Sequence, residues 1–172
     1  GAWTTQSTVE VAGEPVLLEV AQVTDGFLEF FGAGAVRGRL LESGDYAAGD
    51  VVLVSGTAWR TLWGSDPDIV GRTLRVDGRP AVVAGVVDPS FQPPEALVGD
   101  EVHLWRPVDW TLEAMQETNF SVLTIAGRAR AGVDPVAVQD GVDRLLEALA
   151  AGDRNFVNRE GEIRAVPVST LA

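Results

Sequence analysis

Apolar and polar residues alternate in two stretches near the start of the chain, which is the pattern of half-buried β-strands. Residues 12–15 lie between the two stretches and supply the glycine and proline that are typical of a tight turn. The pattern therefore predicts a β-hairpin over residues 7–23. Its alternating apolar positions are Val9, Val11, Val16, Leu18 and Val20.

A second run of signals, over residues 51–87, leaves almost no residue unassigned. Val51–Ser55 is a continuous apolar run typical of a buried strand, and Thr57–Trp63 has the length of a two-turn helix that ends at Gly64. Thr73–Val76 and Pro80–Val87 flank an Asp-Gly pair, which strongly indicates a two-residue hairpin. The run predicts strand, helix and hairpin in that order.

Two further helices are predicted from their caps and periodicity. Thr24 and Asp25 offer an N-cap for a short helix with several phenylalanines, which Gly32 ends. Asp134-Pro135 opens the clearest helix of the chain, which runs to about Ala151. The apolar positions on one face of this helix are Val138, Val142, Leu145, Leu146 and Leu149.

The remaining segments are read more coarsely. We expect residues 42–50 to form a polar loop and residues 88–94 an irregular one. Hairpins and helices alternate without regular βαβ units, so the predicted fold class is α+β rather than a parallel doubly wound sheet. The other predicted elements are strands at Val102–Pro107, Phe120–Ala129 and Ile163–Val168, and a helical turn at Thr111–Gln116.

Composition narrows the function classes. The 172 residues include 25 acidic against 13 basic residues, a net charge of −12 that argues against binding to nucleic acid or anionic lipid. There is no cysteine, which removes thiol catalysis, disulfides and cysteine-based zinc sites. No run of about 18 apolar residues is present, so no transmembrane helix is predicted.

Residues with catalytic chemistry are few. Ser55 does not lie in a G-x-S-x-G elbow, because residue 53 is leucine. His103 is the only histidine and has no histidine or cysteine to share a metal with, so we expect it to face solvent from a strand. The sequence therefore predicts no catalytic, cofactor-binding or metal-ligating residue.

Aromatic and charged residues that resemble a binding site have simpler structural interpretations. Trp59 and Trp63 lie four residues apart on one helix, which favours core packing over a ligand clamp. The same holds for the phenylalanines at 27, 30 and 31. We expect the arginines at 37, 39 and 72 to pair with nearby carboxylates or carbonyls, and the aspartates at 25, 45, 50, 66 and 68 to serve turns and caps.

Several segments, taken in order, resemble the MacB-like periplasmic core domain of bacterial ABC-transporter permeases. The strand–helix–hairpin run over residues 52–87 is the most informative of them. The others are VTDGFLEFFGAGAVRGRLL (23–41), VVDPSFQPP (86–94), EVHLWRPV (101–108), IAGRARAGVDPVAVQDGVDRLLEAL (125–149) and IRAVPVSTL (163–171).

The resemblance implies a domain of two lobes. Residues 1–24 and 113–172 would form a ferredoxin-like, porter-type α+β lobe, whose N-terminal helix we expect to be truncated here. Residues 25–112 would form a smaller mixed α/β lobe inserted in the middle.

The resemblance also implies a function without bond chemistry or a cofactor. The chain would be an extracytoplasmic domain of a membrane protein that transmits ATP-driven conformational change or contacts substrate outside the membrane. Its expected partners are a second permease copy or homologous half, a cytosolic ATPase acting on the parent protein rather than on this domain, and a periplasmic partner protein. The alternative is a ligand- or peptide-binding module not coupled to transport, whereas no motif favours a hydrolase.

The long proline-rich loop over residues 88–100 is the candidate contact surface. Loops of this length are usually functional or mobile, although a plain connector is the simpler interpretation. The candidate contact residues are Phe91, Pro93, Pro94 and Leu97, of which Phe91 and Leu97 are expected to be exposed.

Overall fold

The fold is described from a computed structural model, which covers residues 1–99, 101–109, 127, 130 and 132–152. The chain divides into two compact units, residues 1–126 and 127–172, and each is described by itself. The strands of the first unit are β1 (Ala2–Val11), β2 (Glu14–Val23), β3 (Ala35–Gly38), β4 (Val51–Ser55), β5 (Thr73–Val76), β6 (Arg79–Val87) and β7 (Leu104–Pro107). Its helices are α1 (Phe27–Phe30), α2 (Ser43–Ala48), α3 (Gly56–Leu62) and α4 (Glu95–Val98), and the second unit contains α5 (Pro135–Gly152).

Both predicted hairpins are present. β1 and β2 pair in antiparallel register from Ala2↔Val23 to Val11↔Glu14, across a two-residue turn in which Ala12 has φ 52°. β5 and β6 pair in the same way, across Asp77 and Gly78, which both have positive φ. Positive φ at both central residues is the turn geometry that matches the twist of paired strands.

The seven strands form one mixed sheet in the order β3-β6-β4-β7-β2-β1-β5, and β5 also pairs with β6. The β2–β7 and β4–β6 pairs are parallel, and the others are antiparallel. Val9 pairs with Val76, and Thr8 exchanges hydrogen bonds with Asp77, so the last strand joins the first hairpin. Six strands therefore close into a ring, and β3 lies outside it, against β6.

Side chains alternate between two apolar cores on the two faces of this sheet. The inner cluster receives residues from all six strands of the ring, which places it inside the ring. The outer cluster packs between the outside of the sheet and helices α1, α2 and α4. Along β4, Val52 and Val54 join the inner cluster while Leu53 joins the outer one, and this explains why β4 has no polar face.

Several sequence predictions are corrected. Residues 42–50 are not a plain loop, because Ser43–Ala48 forms α2, whose N-cap Glu42 donates its backbone N–H to Asp45 Oδ2 at 2.8 Å. β3 was not predicted, because all four of its residues are exposed and its pairing with β6 is not local. The predicted elements at 111–116, 120–129 and 163–168 lie outside the described residues.

The sheet-dominated mixture of strands and helices agrees with the predicted combination of α and β elements. The predicted helices at 27–31, 57–63 and 135–151 are confirmed within one or two residues at each end. The boundaries of the two predicted lobes, 1–24 plus 113–172 and 25–112, stay a prediction. Among the described residues, no helix is both long and apolar enough to cross a membrane.

β3 approaches β6 so closely that only glycine fits at the crossing. A Cβ on Gly85 would lie 2.7 Å from the Arg37 carbonyl oxygen and closer still to that of Arg39. These are backbone atoms, so no side chain can move aside to relieve the contact.

We therefore expect Gly85→Ala to lower the free energy of unfolding by about 1–3 kcal/mol, the usual cost of forcing an extra carbon into a packed site. Urea unfolding of residues 1–172 measures it. Gly34→Ala is the matched control, because a Cβ at Gly34 meets nothing within 4 Å. Equal midpoints for the two variants would contradict the close approach of β3 and β6.

Candidate functional site

The candidate contact loop begins with a turn held by Asp88. The Asp88 carboxylate accepts hydrogen bonds from the Ser90 hydroxyl at 2.6 Å and from the Ser90 backbone N–H at 2.8 Å. These bonds favour the ionised carboxylate and lower the pKa of Asp88. The turn follows the end of β6 and is followed by Phe91, which packs against the outer cluster.

Phe91 and Leu97 are not exposed, in contrast to the sequence prediction. Leu97 is 7% exposed within α4, and Phe91 is half-buried with its ring centroid 5.5 Å from that of Trp105. The loop thus turns its apolar side chains inward onto the outer cluster. Between these two anchors, Gln92 and Glu95 are exposed and Pro93 and Pro94 are half-buried, so these four residues are accessible from solvent.

Beneath the loop, aromatic rings form a continuous row. Phe91 contacts Trp105, Trp105 lies 6.5 Å from Phe27, and Phe27 lies 5.0 Å from Phe31. Phe31 in turn lies 4.9 Å from Phe30 between ring centroids. The prediction that the phenylalanines pack in the core holds for Phe27, which is buried, but not for Phe30, which is 38% exposed. No local signal in the sequence indicates that Trp105 lies between Phe91 and Phe27 in this row.

Trp105 carries an unusual feature. The residue is 3% exposed, and its indole Nε1 has no hydrogen-bond partner among the described residues. A buried tryptophan normally finds an acceptor, and an unpaired buried donor costs about 1–3 kcal/mol.

His103 does not face solvent as predicted. Its side chain is 19% exposed. Nδ1 accepts a hydrogen bond from the Glu19 backbone N–H at 3.2 Å, and Nε2 lies 3.4 Å from Glu101. The residue joins β2 to β7, since its backbone N–H also donates to the Glu19 carbonyl.

Trp59 and Trp63 pack against the inner cluster, as predicted. Trp59 Nε1 donates to the Asp66 carbonyl at 2.8 Å, and the Arg37 guanidinium lies 5.8 Å from the centroid of the Trp59 ring. Arg72 pairs with the Asp66 carboxylate at 2.5 Å. The packing role of the two tryptophans and the carboxylate pairing of Arg72 are therefore confirmed. Arg37 differs from the prediction, because its guanidinium faces an aromatic ring. Ser55 likewise caps α3, because its Oγ accepts the Ala58 N–H at 3.1 Å.

Arg39 binds Asp45 through two hydrogen bonds, at 2.6 and 3.0 Å, and so ties the end of β3 to α2. This pairing lowers the pKa of Asp45, an effect that burial opposes and the Glu42 N–H assists. Nearby Tyr46 is buried, and burial together with surrounding carboxylates raises its pKa.

In the described part of the chain, no three histidine, cysteine or acidic side chains are grouped to hold a metal ion.

The chain belongs to the family of MacB-like periplasmic core domains, and residues 2–145 are the part that matches this family. The resemblance drawn from the sequence is thus confirmed. Members of this family are domains of ABC-transporter permeases and lie on the extracytoplasmic side of the membrane. The role of such a domain is non-enzymatic. A comparison with curated proteins found no match.

Solved structures share the fold. The periplasmic region of MacB from Actinobacillus actinomycetemcomitans superposes with a TM-score of 0.60 at 17% identity, covering 87% of this chain and 65% of that one. The extracellular domain of the noncanonic ABC-type transporter YknZ from Gram-positive bacteria gives 0.51 at 17% identity, covering 69% and 57%. A domain of a permease protein from Porphyromonas gingivalis gives 0.57 at 16% identity, covering 84% and 65%. The chain therefore spans less than two thirds of each of these structures.

The Arg39–Asp45 pair predicts a pH-dependent stability. Because the folded-state pKa of Asp45 is lowered below its ordinary 3.8, the ionised carboxylate contributes stability that is complete above that value. The contribution is lost as pH falls through the lower pKa of the folded protein. We expect Asp45→Asn to reduce the free energy of unfolding by about 1–3 kcal/mol at pH 7, with the difference shrinking below pH 3.8.

Urea unfolding from pH 2 to pH 7 checks this. Asp68→Asn is the control for removing one acidic charge, because Asp68 is exposed, and should change the stability by less than about 0.5 kcal/mol. An Asp45→Asn difference that does not vary with pH would show that the ion pair is not its source.

Proposed function

We propose that the first unit of this domain, which contains the strand ring, moves as a rigid body and transmits ATP-driven conformational change to the outer side of the membrane. The closed ring of six strands is the observation that carries the proposal. Each ring strand pairs with a neighbour on both sides, and both faces of the central strands are buried. Packed cores of this kind deform little and pass displacement on.

The candidate contact loop gives this body a surface for substrate or a partner protein outside the membrane. The exposed side chains Gln92 and Glu95, with the half-buried Pro93 and Pro94, form that surface, while Phe91 and Leu97 anchor it on the outer cluster. The negative net charge of the chain favours neutral or basic partners over acidic ones.

The expected assembly follows from the permease family. A second permease copy or homologous half would stand beside this domain, and a cytosolic ATPase would act on the parent protein, with a periplasmic protein as a further partner. We also retain the two-lobe arrangement, with a ferredoxin-like lobe from residues 1–24 and 113–172 and an inserted lobe from 25–112. The family resemblance supports that arrangement.

Spin labels test the transmission of motion. Residues 1–172 contain no cysteine. Leu17 and Val36 are 61% and 44% exposed, so a cysteine introduced at either position, or at both, can carry a spin label. In the parent permease, we expect the distance between Val36 labels on two copies to change when ATP is trapped. The Leu17–Val36 distance within one domain should stay the same, because both sites belong to one sheet.

The doubly labelled isolated chain is the control for the distance within one domain. Identical Val36–Val36 distances in the trapped and nucleotide-free states, measured while ATP hydrolysis is intact, would contradict transmission. They would favour the binding-module hypothesis instead.

A further inference from the structure

Within the described part of the chain, the indole N–H of Trp105 is buried and has no hydrogen-bond acceptor. β7 places Trp105 between β2 and β4, and its ring joins the outer cluster beside Phe27 and Phe91. The two rings nearest to it offer no oxygen or nitrogen acceptor for Nε1. A phenylalanine would occupy the same cluster without burying an unpaired donor, so the indole calls for an explanation.

The segment over Trp105 is held weakly to the rest of the unit. Within residues 91–99, the backbone N–H groups of Phe91, Leu97 and Gly99 donate to carbonyls of residues 88–95. Among the described residues, a single hydrogen bond joins 91–99 to another element, from Thr4 Oγ1 to the Val98 carbonyl at 2.6 Å. Of the hydrogen bonds between described residues, opening of this segment would break that one. It would also undo apolar packing on the outer cluster and leave the strand ring intact.

We propose that residues 91–98 open to admit an apolar ligand group that carries a hydrogen-bond acceptor, and that Trp105 Nε1 binds that acceptor. Phe27 and Phe91 would contact the apolar part of the ligand on either side. The ligand class is a neutral aromatic or aliphatic molecule with a carbonyl oxygen, because a domain of net charge −12 disfavours an anion. The inference rests on the proposed contact role of the loop and gives that role a chemical specificity.

Nile red is a suitable probe, since it is neutral, aromatic and carries a carbonyl, and its fluorescence reports an apolar environment. Pyrene is the matched probe without an acceptor. We expect saturable binding of Nile red to residues 1–172 and a shift of the Trp105 indole N–H signal in the ¹H–¹⁵N spectrum. Comparison with Trp105→Phe assigns that signal among the five tryptophans.

Two variants should act in opposite directions. Trp105→Phe keeps the apolar packing and removes the donor, so it should weaken Nile red binding by about threefold to tenfold and change pyrene binding by less than about twofold. Thr4→Val removes the hydrogen bond that holds the segment closed, so it should strengthen the binding of both probes, because the binding-competent state becomes more populated. Trp63→Phe, in the inner cluster, should alter neither.

The absence of saturable Nile red binding would overturn the proposal. Equal affinities of Trp105→Phe and the unsubstituted chain for Nile red would also overturn it. The same holds if Nile red leaves the indole N–H signal unchanged, which would indicate that an ordered water occupies the donor. The isolated chain is used without ATP, so these outcomes do not depend on transmission of motion. A domain that moves in the permease but binds no Nile red would retain the proposed function and lose only this ligand site.

Discussion

Alternation of side chains along β4, in the middle of the sheet, is the constraint on which the rest of the structure depends. Val52 and Val54 face the interior of the strand ring while Leu53 faces the helices outside, so β4 is apolar on both faces. A slip of one residue in register would exchange the two sets. The close approach of β3 and β6 at Gly38 and Gly85 adds a second fixed point outside the ring.

The two apolar clusters have different roles in the proposed function. The inner cluster holds six strands together and makes the unit stiff, which suits a body that passes on motion. The outer cluster is covered in part by α4 and the proline-rich loop before it, which one hydrogen bond joins to another element among the described residues. Trp105 belongs to a ring strand but packs in the outer cluster, so it connects the stiff part of the unit with the part that we propose opens.

Sequence alone predicted the elements whose signals are local. Asp77-Gly78 indicated a tight turn through positive φ at both positions, and the long C-terminal helix was evident from its periodicity and its Asp-Pro start. β3 was missed because its identity as a strand comes from pairing with β6, almost fifty positions later in the chain. The inward orientation of Phe91 was likewise not predictable, because its contact with Trp105 is not local. Trp105 lies on β7, which follows the loop in the chain. Family membership could be predicted because six segments, taken in order, carry the resemblance together, although each alone is weak.

Hydrogen exchange of the backbone amides in residues 1–172 is the most direct test of a stiff ring beneath a segment that opens. We expect the amides of β2, β4 and β6 to exchange only through global unfolding, so that urea accelerates their exchange in parallel with the unfolding equilibrium. The amides of Leu97 and Gly99 should exchange through local opening, with protection at least about 100-fold lower and little dependence on urea. Equal protection and equal urea dependence in β4 and in residues 97–99 would contradict the account.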